Sequence, residues 1–340
     1  MSIRKNFNSK KFWLLAVVTG FLVAASLLQL QKKDQNENIL STKPRVWSVK
    51  SVDTMKYSRD LALSKLNDPT FDKTIDLQVR VIKETGATHV AIGTPYDERF
   101  LPYLRRWVQT ARKYGLNVWF RGNFAGWEGW FGSKRNLTRE EHLNLTRQFI
   151  QKHGGLFQNG DIFTSCTECE NGGPGDPRYQ TDVGGFRNFL IQEYNITQEE
   201  FSKIGKKVAT NLFSMNYDVA KLVMDGPTVA ALGNLIVIDH YVKTPEQLAG
   251  DIRFLANKTG AKIILGEFGA PIPDIHGSLT ETQQAEWVEK ALNLISIQPE
   301  VVGLNYWTSF GGTTSIFNTN NTPKLAAKVL ERYFKLPALP

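Results

Sequence analysis

Eight short apolar runs recur from residue 45 onward, each followed by a longer stretch of helical period. They are RVWSV (45–49), THVAIG (88–93), NVWFRG (117–122), DIFTSC (161–166), VATNLF (208–213), LIVIDH (235–240), KIILGE (262–267) and VVGLNY (301–306). Runs of this length, rich in β-branched and aromatic residues and bounded by turn formers, read as strands buried on both faces. Parallel strands of that kind need crossovers of a dozen residues or more, which the helical stretches supply. Several of those stretches carry start signals: TREE at 138 and TETQ at 280 are capping boxes, and TPEQ at 244 puts Pro at the first helical position. Eight β/α units in about 290 residues predict an α/β chain folded as a single (β/α)8 TIM barrel. A doubly wound sheet is the alternative, but no Gly-rich dinucleotide fingerprint follows the first run.

The N-terminus obeys a different pattern. Arg4, Lys5, Lys10 and Lys11 precede a stretch from Phe12 to Leu30 without a charge, and QKKDQNEN then turns polar. A run of about 20 apolar residues matches a bilayer, whereas a secretory h-region has about 7 to 15. The reading is a cytoplasmic basic segment over 1–11, a transmembrane helix over 12–30, a linker over 31–43 and the barrel over 44–340. The barrel then lies outside the cytoplasm at the cell membrane, on a single-pass anchor. VAAS at 23–26 is a weak cleavage site, so a secreted, cleaved form is the alternative. The formal net charge of +8 is spread over helix faces with no basic run interleaved with aromatics, which argues against a nucleic-acid partner. The two cysteines, Cys166 and Cys169, make neither a disulfide framework nor a four-ligand zinc set, and no cofactor or metal is called for.

Barrel chemistry gathers at the C-terminal strand ends. Those ends carry Asp53, Tyr96 and Asp97, Arg121 and Asn123, Glu168 and Glu170, Asn216, His240 and Tyr241, Glu267, then Tyr306 and Trp307. Glu267 closes KIILGEFGAP, an apolar strand stopped by a carboxylate. A buried carboxylate is costly unless paired, so it is either an ion-pair partner or catalytic. The fourth strand end brings a second acid, across the barrel mouth from the seventh. Two carboxyl groups facing one cleft suit glycosidic cleavage, one protonating the leaving oxygen while the other attacks or activates water.

These strand ends resemble the clan A glycoside hydrolases, and within them the cellulase-like family 5 type, over about residues 44 to 335. CTECENGG and ILGEFGAP occupy the places of that clan's acid/base and nucleophile glutamates, at the ends of strands four and seven. Tyr241 in IDHYVKTPEQ is similar to the tyrosine that hydrogen-bonds the nucleophile, and Trp307 in GLNYWTSFGG to the tryptophan that floors the sugar subsite. The resemblance implies a retaining hydrolase of β-linked glucan or mannan, with Glu168 and Glu267 catalytic. Two departures stand out. Thr167 replaces the usual Asn before the acid/base, and VAIGTPYDE lacks the strand-two arginine, although Arg121 on strand three could supply a cation near the nucleophile or serve as a salt bridge within the barrel.

On an extended strand Glu168 shares a face with Thr164 and Cys166, and Glu170 lies about 6 to 7 Å further along in the loop, so Glu168 is the better acid. The Cys-x-x-Cys pair is left as packed thiols, a local disulfide or a metal site, and neither thiol has a catalytic step to perform. NFAGWEGWFG places Phe124, Trp127, Trp130 and Phe131 in a Gly-rich loop, where they either stack on sugar rings or fold onto the barrel. Candidate substrate-binding residues are therefore Tyr241, Trp307, Arg121, Asn123, Trp127, Trp130, His240, Tyr96 and Asn216, with a carbohydrate as the expected partner. Asp53 and Asp97 are further candidates for bonding sugar hydroxyls. The rival from another class is a surface protein that binds carbohydrate with little turnover.

Overall fold

A computed structural model describes residues 47–125, 130–133 and 136–336, the side chains of Trp130 and Gln180 excepted. The expected basic segment, transmembrane helix and linker, and Trp127, lie outside the described residues. Among the described residues no helix is long and apolar enough to cross a membrane. The chain divides into Met1–Pro44, all outside the description, and Arg45–Pro340.

Among the described residues eight strands are laid down in chain order: β1 (Val49–Asp53), β2 (His89–Ile92), β3 (Asn117–Phe120), β4 (Ile162–Phe163), β5 (Ser214–Asn216), β6 (Leu235–Asp239), β7 (Lys262–Phe268) and β8 (Val301–Tyr306). Each is followed by a helix: α1 (Asp72–Glu84), α2 (Leu101–Lys113), α3 (Arg139–His153), α4 (Val183–Lys203), α5 (Tyr217–Val223), α6 (Pro245–Thr259), α7 (Glu281–Ser296) and α8 (Leu325–Phe334). The strands form one parallel sheet in the order β4-β3-β2-β1-β8-β7-β6-β5. Its free edges are drawn together, because Phe163 N donates to Ala209 O and Ala209 N to Asp161 O, both at 2.9 Å. A curled, parallel, eight-stranded α/β sheet with every strand next to its chain neighbour fits a TIM barrel and not a doubly wound sheet.

Two strands sit away from the expected positions. The first is Val49–Asp53 and not 45–49, because Ser51 and Asp53 point into the barrel and break the apolar pattern that the sequence displays around Trp47. The fifth is Ser214–Asn216, while the expected run at 208–213 makes only the bridge Ile162↔Ala209 that joins the edges. β4 is also shorter than DIFTSC, ending at Phe163.

The helices start where their caps place them. Thr138 and Thr280 form capping boxes with Glu141 and Gln283, and Thr244 caps Pro245 at the head of α6. Their apolar faces cover the outside of the sheet; α2 buries Leu104, Trp107 and Ala111 there. Inside the barrel a second cluster of Ala91, Trp119, Ile162, Leu212, Val237 and Ile264 fills the lumen. Each large apolar side chain so buried contributes about 1.5–3 kcal/mol. Trp119 keeps its polar handle satisfied by donating Nε1–H to Thr164 Oγ1 at 2.9 Å. This plug is the floor on which the strand-end residues stand.

Candidate active site

Two residues beyond Trp119, Leu212 and Val237 stand Arg121, Ser214 and Asp239, and the lumen turns from apolar to polar and charged. Arg121 lies at its centre with its side chain fully buried. It donates through Nη1 to Gly266 O and to Asp53 Oδ2 (3.4 Å), and through Nη2 to Ser214 Oγ (3.1 Å), Asp239 Oδ2 (3.2 Å) and Glu267 Oε1 (2.9 Å). Burial works against the guanidinium's charge, but Asp239, Glu267 and Asp53 outweigh it and raise its pKa. The carboxyls respond in kind. Burial raises Asp53 to about 6 against the pull of Arg121, and burial together with Glu267 lifts Asp239 well above the ordinary range. Asp53 also accepts from Met55 N at 2.6 Å and Asn305 Nδ2 at 3.0 Å, which makes it part of the floor and not an arm toward sugar hydroxyls.

Glu267 reaches this cluster through a break in strand alternation. Ile263 and Leu265 pack outward beneath the helices while Ile264 faces the lumen, so strict alternation would send Glu267 outward too. The β6–β7 register shifts between Leu265 and Glu267, and the β7–β8 register between Leu265 and Phe268. Phe268 then packs in the outer core and Glu267 turns inward, as a bulge re-aims a side chain. Gly266 makes the bulge sterically feasible: a Cβ there would lie 2.3 Å from Asp239 Oδ1. Glu267 is held at both oxygens, by Arg121 and by Tyr241, whose hydroxyl donates to Oε2 at 2.8 Å. Burial raises the pKa of Glu267, Arg121 lowers it, and Glu168 raises it again.

Glu168 arrives on a turn and not on a strand. The chain leaves β4 at Thr164 and Glu168 adopts the left-handed conformation (φ 47°, ψ 53°), its N–H bonded to Ser214 O at 2.9 Å across the closure of the sheet. Asn171 Nδ2 donates to its Oε2 at 2.9 Å. Carboxylate oxygens of Glu168, Asp239 and Glu267 lie within 4.8 Å of one another. Glu170 goes elsewhere. Its buried carboxyl accepts from Asn216 N (2.6 Å) and Nδ2 (3.0 Å), and burial pushes it up to about 7. A disulfide joins Cys166 to Cys169.

The structure therefore brings Glu168, Glu267, Tyr241 and Arg121 together. Trp307 is half-buried beyond β8 with Lys56 Nζ 5.9 Å from its ring centroid. Four other candidates are placed in supporting contacts. Asn123 Oδ1 accepts from Thr167 N at 3.1 Å, and Asn216 holds Glu170. Tyr96 is buried among Phe124, Phe149 and Phe163 with its hydroxyl donating to Thr164 O at 2.8 Å. His240 points into the helical layer, where it bonds Asp251 of α6 at 2.8 Å and stacks on Tyr217 of α5. Of the loop aromatics, Phe124 and Phe131 pack onto the barrel core, and the side chain of Trp130 is outside the description. Asp97 is exposed and bonds Arg99 N at 2.8 Å.

Asp239, Ser214 and Asn305 were missed by the sequence reading. Asp239 had a signal, a carboxylate closing the apolar run LIVID, the same argument that singles out Glu267. Ser214 and Asn305 had none, since neither type is unusual near a strand end. Among the described residues two groups are close enough to ligate a metal ion: Glu168 with Asp239 and Glu267, and His142 with Cys166 and Cys169. In the first Arg121 already supplies positive charge, and in the second the sulfurs are bonded to each other.

No family model and no curated protein matches this chain. Solved structures do resemble it. A β-D-glucuronidase of Dictyoglomus thermophilum superposes with TM-score 0.55 at 18% identity, over 87% of this chain and 51% of its own. The β-glycosidase BGL167 superposes with TM-score 0.57 at 14% identity, over 87% of this chain and 98% of its own. A Ruminococcus gnavus β-glucuronidase gives TM-score 0.54 at 14% identity, over 78% and 47%. This chain thus spans about half the length of the two glucuronidases and nearly all of the β-glycosidase. At these identities the likeness is one of fold, a parallel α/β barrel of the kind found in glycoside hydrolases.

Proposed function

We propose that this chain is a retaining glycoside hydrolase of clan A, family 5 type, acting on β-linked polysaccharide or oligosaccharide of glucan or mannan kind. One observation carries the reading: carboxylate oxygens of Glu168 and Glu267 lie within 4.8 Å of each other at the top of a barrel. Retaining sites hold their two carboxyl groups about 5 to 5.5 Å apart, and inverting sites about 6.5 to 9.5 Å, to leave room for a water. The solved neighbours, named as β-glucuronidases and a β-glycosidase, support a β-linked substrate.

In the proposed reaction Glu267 attacks the anomeric carbon while Glu168 gives its proton to the departing oxygen. A covalent glycosyl ester on Glu267 results, and Glu168 then takes a proton from the water that hydrolyses it. Arg121 favours the ionised nucleophile, and the Tyr241 hydroxyl fixes its orientation. Trp307 offers a ring face to the sugar. The domain begins at about residue 44 and is tethered by the apolar segment 12–30 with the barrel outside the cytoplasm.

The test is a panel of activated aryl β-glycosides, followed by proton NMR of the first product and mass spectrometry after a 2-deoxy-2-fluoro glycoside. The expected results are a β-anomer first and a sugar adduct on the peptide carrying Glu267. An α-anomer first would replace the retaining reading with an inverting one. No turnover across the panel, with tight binding to oligosaccharide, would favour a carbohydrate-binding protein.

A further inference from the structure

Glu168 stands in a conformation that residues with a Cβ seldom adopt, and the strand that leads to it, β4, has ended at Phe163. Something must hold its backbone. Cys166 and Cys169 flank Thr167 and Glu168, with Cα atoms 5.2 Å apart and their sulfurs bonded, so a covalent ring of four residues includes the Glu168 backbone from which the carboxyl projects. Both half-cystines are buried, 5% and 4% exposed, which anchors the ring in the outer core. Hydrogen bonds also reach the turn, among them Thr167 N to Asn123 Oδ1, Thr167 Oγ1 to Arg121 O at 3.3 Å, Glu168 N to Ser214 O and Asn171 N to Glu168 O, but the disulfide is its covalent tie.

We infer that the Cys166–Cys169 disulfide is a positioning element for the general acid, holding the turn so that the Glu168 carboxyl stays within reach of the glycosidic oxygen. The inference rests on the proposed hydrolase reading. It revises the expectation that the cysteines are indifferent to catalysis: neither sulfur touches substrate, yet the bond between them restricts the residue that does. A shift of about 1 Å in a catalytic group can cost 10²-fold, and the whole acid contribution is typically 10²–10⁴-fold. Because the hydrogen bonds of Thr167 and Glu168 still hold the turn when the disulfide is gone, part of that contribution survives.

The experiment compares wild type with C166S/C169S, and with C166A/C169A in case buried hydroxyls prevent folding. The readout is kcat/KM on a 2,4-dinitrophenyl glycoside, whose phenolate leaves unaided, and on the phenyl glycoside of the same sugar, which needs the proton. The expected result is a loss of about 10- to 100-fold on the phenyl substrate with the dinitrophenyl rate within about threefold of wild type. Equal losses on both substrates, as general destabilisation gives, overturn the inference, and so does no loss on either. Wild type inactive on both would instead defeat the hydrolase reading. A crystal structure of the double variant still decides the positional claim in that event: a Glu168 φ that stays positive with the carboxyl still beside Glu267 overturns it.

Discussion

Replacing Arg121 with Met tests whether one guanidinium holds the carboxyl cluster in its working state. The side chain is fully buried and bonds Asp53, Asp239 and Glu267, so its loss leaves those groups without their common cation. Breaking a buried ion pair from one side costs about 3–5 kcal/mol. With an unfolding entropy of about 2.1 cal/mol/K per residue over about 290 residues, that is a fall in Tm of about 5 to 8 °C. The deficit must depend on pH. A buried carboxyl escapes the penalty by taking up a proton, and holding it protonated costs about 1.4 kcal/mol for each pH unit above its ordinary pKa near 4.

At pH 8 that escape is expensive and the deficit is at its full size; at pH 5 it costs about 1.4 kcal/mol per carboxyl and most of the deficit disappears. The same sign holds in wild type. Asp53 is raised to about 6 in the folded chain, so its contribution to stability is full below its unfolded pKa and is lost as pH rises from about 4 through 6, about 3 kcal/mol in all and about 1.4 kcal/mol of it above pH 5. Differential scanning calorimetry of both proteins at pH 5, 6.5 and 8 measures this. In the variant the acid limb of kcat/KM should also move to higher pH, because Glu267 loses the charge that favours its ionised form. A Tm deficit of the same size at pH 5 and 8, or a variant more stable than wild type at pH 8, would refute the reasoning.

Other consequences are as specific. Glu168→Gln should lower kcat/KM by about 10²–10⁴-fold on substrates with poor leaving groups and spare activated aryl glycosides, while Glu170→Gln should show no such dependence, since its carboxyl is bonded to Asn216; Brønsted plots for both variants decide. Gly266→Ala brings a Cβ 2.3 Å from Asp239 Oδ1 and 2.9 Å from Ser214 Cβ and Val237 Cγ1, so it should cost about 1–3 kcal/mol and reduce turnover by displacing Glu267, readable in paired melts and kinetics. The full-length protein should fractionate with membranes, and N-terminal sequencing that finds Ser26 or later as the first residue of the mature protein would show cleavage instead.

The barrel was legible because its signal is repeated. Each run is short, but eight of them alternating with helical stretches leave few topologies, and the caps at Thr138, Thr244 and Thr280 place three helix starts to the residue. The errors in β1 and β5 have one origin. A barrel strand faces its lumen with whatever the lumen needs, and near the top this lumen needs Ser51, Asp53 and Ser214, so the strand ends look like loop while an apolar approach such as VATNLF looks like strand.

Proximity of the two glutamates was not legible in the same way, because both reach the cluster by departing from the strand geometry from which their direction would be read. Alternation along KIILGEF sends Glu267 outward, and only the register shift around Gly266 brings it in. Alternation along DIFTSCTE puts Glu168 on an extended strand, whereas the strand has ended and the residue sits in a left-handed turn. The sequence does mark both departures. Gly266 precedes one glutamate, and the cysteines bracket the other, but each mark acquires meaning only when its neighbour across the sheet is known: Asp239 beside Gly266, and Ser214 beside the Glu168 amide. Those neighbours lie 27 and 46 positions away in the chain. Local periodicity carries no information over such a span, so the carboxyl separation on which the retaining reading rests follows from the closure of the barrel.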